Sequence, residues 1–132
     1  MSKASILIVE DEGIVAMDIL FSLKNLGYTI AGHTERAEDV LKKATELRPD
    51  LVLMDIGLKG SMDGIEAAKQ IRERLGLPVV FLTAYANQST IERAREAQPY
   101  GYILKPFDED ELTATIEAAI HRHRLEHGTS GG

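Results

Sequence analysis

The sequence predicts a doubly wound α/β fold, a parallel sheet with helices on both faces, and three observations carry the prediction. Four short apolar runs, Ile6-Leu7-Ile8-Val9, Leu51-Val52-Leu53-Met54, Val79-Val80-Phe81-Leu82 and Tyr102-Ile103-Leu104, are rich in β-branched residues. Such runs suit strands buried on both faces of a parallel sheet. Helical patterns fill the gaps, so strand and helix alternate five times, as right-handed crossovers require. Finally, polar residues of related chemistry, Glu10, Asp11, Asp55, Thr83 and Lys105, stand where these runs stop.

The first run leads into a helix whose inner face is Val15, Ile19, Leu23 and Leu26, closed by Gly27, where a left-handed residue is wanted. Tyr28-Thr29-Ile30-Ala31 supplies the second strand. Ala37, Val40, Leu41, Ala44 and Leu47 give a second helix, stopped by Arg48-Pro49. After the Leu51 run, Ile65, Ala68, Ile71 and Leu75 form a third, begun by a capping-box pattern in Asp63 and Glu66 and ended by Gly76 and Pro78. The fourth helix, around Ile91, Ala94 and Ala97, has the thinnest apolar face and ends before Pro99. The fifth starts at Asp108, with Glu111 three residues on, and runs through Leu112, Ile116 and Ala119 toward Leu125.

With 132 residues the chain has the length of one domain, expected over residues 1–127; residues 128–132, Gly-Thr-Ser-Gly-Gly, read as a flexible tail, linker or cloning scar. A chain of this size buries roughly two-thirds of its unfolded surface, so the fold needs no metal or disulfide. Cysteine is absent, which rules out disulfides, thiolate metal sites and thiol nucleophiles. The first apolar run is too short for a secretory segment or a membrane span, so the chain reads as cytoplasmic, with no membrane partner. A formal net charge of −6, without an aromatic-and-basic stripe, argues against direct nucleic-acid binding.

Ligands of open α/β sheets bind outside the carboxyl ends of the strands. Glu10-Asp11 and Asp55 therefore converge there, although strand-end acids also serve simply as helix caps or turn formers. Crowded carboxylates are costly unless a cation neutralises them, and Mg²⁺ takes such oxygen ligands. Asp55 has the chemistry of a carboxylate nucleophile for a phosphoryl group. Gly57 can turn its backbone carbonyl toward a metal, and the Thr83 hydroxyl can donate to a phosphoryl oxygen. Lys105 can neutralise charge as phosphate builds up. His33, at a strand end, has no evident partner. His123 and His127 stand one helical turn apart, where Zn²⁺ sites occur, but read as surface groups complementing a helix end.

Taken together, Val9-Glu10-Asp11-Glu12, Met54-Asp55-Ile56, Met62-Asp63-Gly64, Leu82-Thr83-Ala84 and Lys105-Pro106-Phe107 resemble the receiver domain of two-component response regulators, over about Ser5 to Leu125. The resemblance implies a flavodoxin-like (βα)5 fold with strand order 2-1-3-4-5. It implies that Asp55 accepts phosphate from the phosphohistidine of a sensor histidine kinase or phosphotransfer protein. By the same likeness Asp11, Asp55 and the Gly57 carbonyl bind Mg²⁺ directly and Glu10 acts through water. Thr83 and Tyr102 become a switch pair, altering the surface of the fourth helix, last strand and fifth helix for an output partner. The Lys105-Pro106 bond is expected to be cis. Tyr85, two residues beyond Thr83, with Gly57 opposite, is expected to tune the lifetime of the phosphate. One departure is Gln98-Pro99-Tyr100-Gly101-Tyr102, where receivers that drive transcription commonly carry Gly-Ala-Asp-Asp-Tyr; the resemblance therefore does not extend to the usual dimer through the fourth and fifth helices, and the oligomeric state stays open.

Rival readings fit less well. A flavodoxin would need a Ser, Thr and Gly-rich phosphate loop where Glu10-Asp11-Glu12 stands, and Gly-x-Gly-x-x-Gly is missing for a dinucleotide. A Mg²⁺-dependent phosphatase with an aspartyl nucleophile is the enzymatic alternative. It would place a second acid two residues after the nucleophile, where this chain has Gly57. The expected chemistry is that of a switch acting on its own phosphate, not an enzyme.

Overall fold

The structure, a computed structural model, describes residues 3–57, 64–84 and 88–127. Strands β1 (Ser5–Val9), β3 (Leu51–Asp55) and β4 (Val79–Thr83) carry the apolar runs. β2 (Thr29–Thr34) forms one edge of the sheet and β5 (Gly101–Leu104) the other. All neighbours pair in parallel, in the order β2-β1-β3-β4-β5.

Five helices cover the sheet: α1 (Gly13–Asn25), α2 (Ala37–Leu47), α3 (Gly64–Leu75), α4 (Gln88–Arg95) and α5 (Glu109–Glu126). Strand side chains alternate between faces, so each central strand feeds two cores. Ile6, Ile8, Leu51, Leu53, Val80 and Leu82 pack beneath Ile19 and Leu23 of α1 and Leu112 and Ile116 of α5. Leu7, Val9, Val52, Met54 and Phe81 pack against Val40 and Ala44 of α2, Ala68 and Ile71 of α3 and Ala94 of α4. Burial on both faces is why these strands read as unbroken apolar runs.

The helix ends follow the local chemistry. Gly27 takes φ +94, its N–H donates to the Lys24 carbonyl, and the Tyr28 N–H donates to the Leu23 carbonyl. That pair of bonds is a Schellman motif, which satisfies two carbonyls the helix leaves open. At the start of α5 the Asp108 carboxylate accepts the Glu111 N–H at 2.7 Å.

The structure differs from the sequence reading at two elements. β2 begins at Thr29 and runs on to Thr34, past Gly32 and His33, while Tyr28 lies outside it. Tyr28 is buried against the α1–α5 core, its hydroxyl donating to Glu117 at 2.7 Å. An irregularity between Ile6 and Leu7 in the β1–β2 pairing shifts the register by one residue, so Leu7 pairs with Gly32. α4 stops at Arg95 rather than Ala97, because the turn tightens: the Ala97 N–H bonds to Ala94 and the Gln98 N–H to Arg95, with Gln98 at φ +51.

One glycine is held by close approach. A Cβ on Gly64, at the start of α3, would lie 2.5 Å from the Asp55 backbone carbonyl oxygen. Gly64→Ala must push α3 away from the end of β3, and overpacking of this kind costs about 1–3 kcal/mol. A urea titration is expected to show a lower midpoint with an unchanged slope; an unchanged midpoint would mean that the helix start yields freely.

Candidate functional site

The carboxyl ends of the parallel strands form one edge of the sheet. In the β1–β3 ladder Val9 pairs with Met54, so Glu10 and Asp55 follow side by side. Thr83 ends β4 opposite Leu104, and Lys105 comes next on β5's side. The Lys105 N–H donates to the Thr83 carbonyl at 2.8 Å, fastening the two strand ends together.

Glu10 is fully buried. Its Oε2 accepts the Glu12 N–H at 3.0 Å and its Oε1 accepts from the Lys105 ammonium at 3.1 Å. The same ammonium donates to Asp55 Oδ2 at 3.3 Å. Asp55 Oδ1 accepts the Gly57 N–H at 2.8 Å, which orients the carboxylate in the bend after β3. Among the described residues, Glu10, Asp11 and Asp55 form the one group of three potential metal ligands, their oxygens within 4.8 Å of one another.

Glu10 and Asp55 share one ammonium, and burial is the largest single influence on the electrostatics around it. Burial, with the Asp55 charge adding to it, pushes the Glu10 carboxyl up to about 7, against the lowering hydrogen bonds from Glu12 and Lys105. For Lys105 burial acts to lower the pKa, but the bond to Glu10 and the charges of Asp55 and Glu10 outweigh it and hold the ammonium above its usual range. Hard oxygen donors with surplus negative charge fit Mg²⁺, which uses one or two carboxylates and keeps several waters.

A pH dependence follows. Folded Glu10 holds its proton up to about pH 7, whereas the unfolded chain loses it near 4.5. The contribution of this group to stability in a chelating buffer should therefore be greatest below the unfolded value and fall by about 3 kcal/mol as pH rises to about 7. Glu10→Gln should flatten the decline between pH 5.5 and 7.5 in urea titrations; the same slope in parent and variant would contradict it.

The remaining expected residues lie nearby. Thr83 is buried at the end of β4. Tyr102 pairs in register with Phe81, so its ring lies on the same face as Phe81 and Thr83, toward α4, with ring centroids 6.1 Å apart. Burial raises its phenol, against the lowering charge of Arg95. Lys105-Pro106 is cis. Tyr85 and the Met62-Asp63 segment lie outside the described residues.

Three features escaped the sequence reading. His33 does have a partner, since its Nε2 lies 2.9 Å from the Glu10 carbonyl oxygen. Likewise, His123 lies 2.6 Å from the Gly76 carbonyl and stacks on His127, so it is a packing contact more than a surface charge. On α1, Ile14, Met17 and Phe21 are 87%, 71% and 69% exposed, and Ile14 lines a cleft of about 600 Å³ with Val15, Asp18, Ala84, Lys105, Pro106 and Phe107.

Fold and site together define a flavodoxin-like α/β domain with an acidic, oxygen-donor pocket at its sheet edge. The response regulator receiver domain model matches residues 6–117, and the chain belongs to that family, the signalling switches of two-component systems. The transcriptional regulatory protein PdtaR of Mycobacterium tuberculosis is 38% identical over 119 residues, covering 90% of this chain and 58% of PdtaR. YdfI, a transcriptional regulatory protein of Bacillus subtilis, is 35% identical over 121 residues, 91% of this chain and 56% of YdfI. The chain thus spans about half the length of the curated relatives it matches. Among solved structures, the signal receiver domain of a modulated diguanylate cyclase from Desulfovibrio desulfuricans G20 is similar with a TM-score of 0.89 and 38% identity, over 93% of this chain and 98% of that one. The N-terminal domain of a response regulator/sensory box/GGDEF protein from Carboxydothermus hydrogenoformans matches with a TM-score of 0.84 and 36% identity, over 92% and 98%. No helix among the described residues is long and apolar enough to cross a membrane.

Proposed function

We propose that the chain accepts a phosphoryl group on Asp55 from the phosphohistidine of a sensor kinase or phosphotransfer protein. The observation that carries this reading is the convergence of Glu10, Asp11 and Asp55 within 4.8 Å, with Lys105 bonded to two of them. In the transfer an Asp55 carboxylate oxygen bonds to phosphorus while the P–N bond to the donor imidazole breaks and the imidazole leaves with that electron pair. Lys105, already within 3.3 Å of Asp55, follows the incoming charge as the carboxylate becomes an acyl phosphate. The Gly57 N–H holds the carboxylate in place for attack. Asp11, Asp55 and the Gly57 carbonyl, with Glu10 behind them, would hold Mg²⁺, which when bound would neutralise charge on the phosphoryl oxygens.

The donor has to reach a recessed aspartate past the rim of the sheet edge. Ile14, Met17 and Phe21, at helical spacing on α1, form an exposed apolar stripe whose Ile14 end lines the cleft at Lys105. Exposed stripes of this kind mark contact surfaces, and its Ile14 end, beside Lys105, supports reading this rim as the place where the phosphodonor docks. The position two residues after Asp55 is Gly57, with no carboxyl to act as a general acid, so an Asp-nucleophile phosphatase is not favoured.

Phosphorylation is read out through Thr83 and Tyr102. The phosphoryl group offers the Thr83 hydroxyl a new partner, and the Tyr102 ring moves into the space behind it, changing the face made by α4, β5 and α5. α4 is eight residues long with Ala94 its sole buried side chain, so it has few contacts to lose. Adding beryllofluoride and Mg²⁺ is expected to shift amides from 88 to 105 as well as those at the site. Shifts confined to the site would remove this route.

A further inference from the structure

The proposed chemistry leaves His33, which lies near the site, without a task. It sits on the edge strand β2, paired with Ile8 of β1, and β2 ends one residue later. The backbone ladder reaches as far as the Glu10 N–H, which donates to the Thr34 carbonyl at 3.1 Å. The Glu10 carbonyl, pointing back toward β2, meets the His33 ring at 2.9 Å. A carbonyl can only accept, so Nε2 carries the hydrogen and donates it, a tautomer assigned from this partner. Both polar groups of the Glu10 peptide are thus held by the last two residues of β2, the second by a side chain that takes over where the strand's backbone stops.

The consequence lies one residue on. Asp11 leaves the sheet directly after that carbonyl, and its carboxylate lies within 4.8 Å of Glu10 and Asp55 oxygens. Rotation about the bond that carries the Glu10 carbonyl would swing Asp11 away, and the imidazole bond opposes that rotation. We infer that His33 is a positioning residue, whose ring fixes the Glu10 carbonyl and so sets the direction in which Asp11 enters the acidic pocket. The inference rests on the Mg²⁺ reading given above for what the positioning serves. Partners one shell beyond a metal's ligands matter for affinity, commonly by 10–100-fold.

Two replacements separate positioning from packing. His33→Leu fills the ring's volume without a donor; His33→Gln keeps an N–H able to reach the carbonyl. In metal-free protein, backbone NMR relaxation at Glu10 and Asp11 is expected to show greater mobility in His33→Leu, with order restored in His33→Gln. With Mg²⁺ titrated into each full chain and followed by amide shifts, His33→Leu should bind about tenfold more weakly than the parent and His33→Gln close to it. Unchanged order at Asp11 in His33→Leu, or a His33→Gln as impaired as His33→Leu, would overturn the inference. If order changes as expected but the parent itself fails to bind Mg²⁺, the metal reading falls and the positioning role stands.

Discussion

Asp55→Asn is expected to take up no phosphoryl group from a small acyl phosphodonor with Mg²⁺, while keeping its fold. The two side chains are nearly isosteric, and the amide oxygen can still accept the Gly57 N–H that now holds Oδ1 at 2.8 Å. What is lost is the anionic oxygen that attacks phosphorus. The replacement also removes the charge that helps to raise Glu10, so the Glu10 carboxyl should titrate lower in the variant. Uptake falling to background with an unchanged far-ultraviolet spectrum is the expected result. Retained uptake would move the acceptor elsewhere.

The second large effect is on metal binding. Asp11→Ala should abolish a saturable Mg²⁺ response in calorimetry, because one substitution removes a ligand and a unit of the charge that draws the cation in. The contrast with Glu10 is informative. Glu10 is buried and bonded to both Lys105 and the Glu12 N–H, so its removal also unfastens the end of β1. Asp11 lies nearer the surface of the same pocket, and its loss should spare the fold. Parent-like Mg²⁺ affinity in Asp11→Ala would refute its place among the ligands.

Much of the fold was legible because parallel strands covered on both faces cannot avoid being apolar. β1, β3 and β4 stand out for that reason, and the residues that end them are where the polar chemistry begins. β2 was less legible. An edge strand pairs on one side only, and Gly32 and His33 interrupt its apolar character while its backbone still pairs with β1 through Thr34. α1 was legible on its inner side, where Ile19 and Leu23 pack in the core as their spacing predicts, while the exposed Ile14, Met17 and Phe21 on its outer side carried no such signal.

Within the site, residue types announced the carboxylates, hydroxyl and ammonium, but not their bonds. Lys105 bridges Glu10 and Asp55 although it lies 95 and 50 residues away from them, a juxtaposition that strand order alone creates. His33 could not be paired from sequence, because its partner is a backbone carbonyl, which every residue has. The end of α4 was misplaced for the same reason. Ala97 looked helical by spacing and is buried, yet the backbone had already left the helix in a tightened turn.

The account stands on Asp55 as the residue that carries the phosphoryl group. Phosphorylate the parent chain with a small acyl phosphodonor and Mg²⁺, trap the acyl phosphate by borohydride reduction, and map the product by mass spectrometry. Reduction should convert residue 55, and no other, to homoserine. Label on Thr83, on a histidine, or on another acid such as Asp11 would contradict the account.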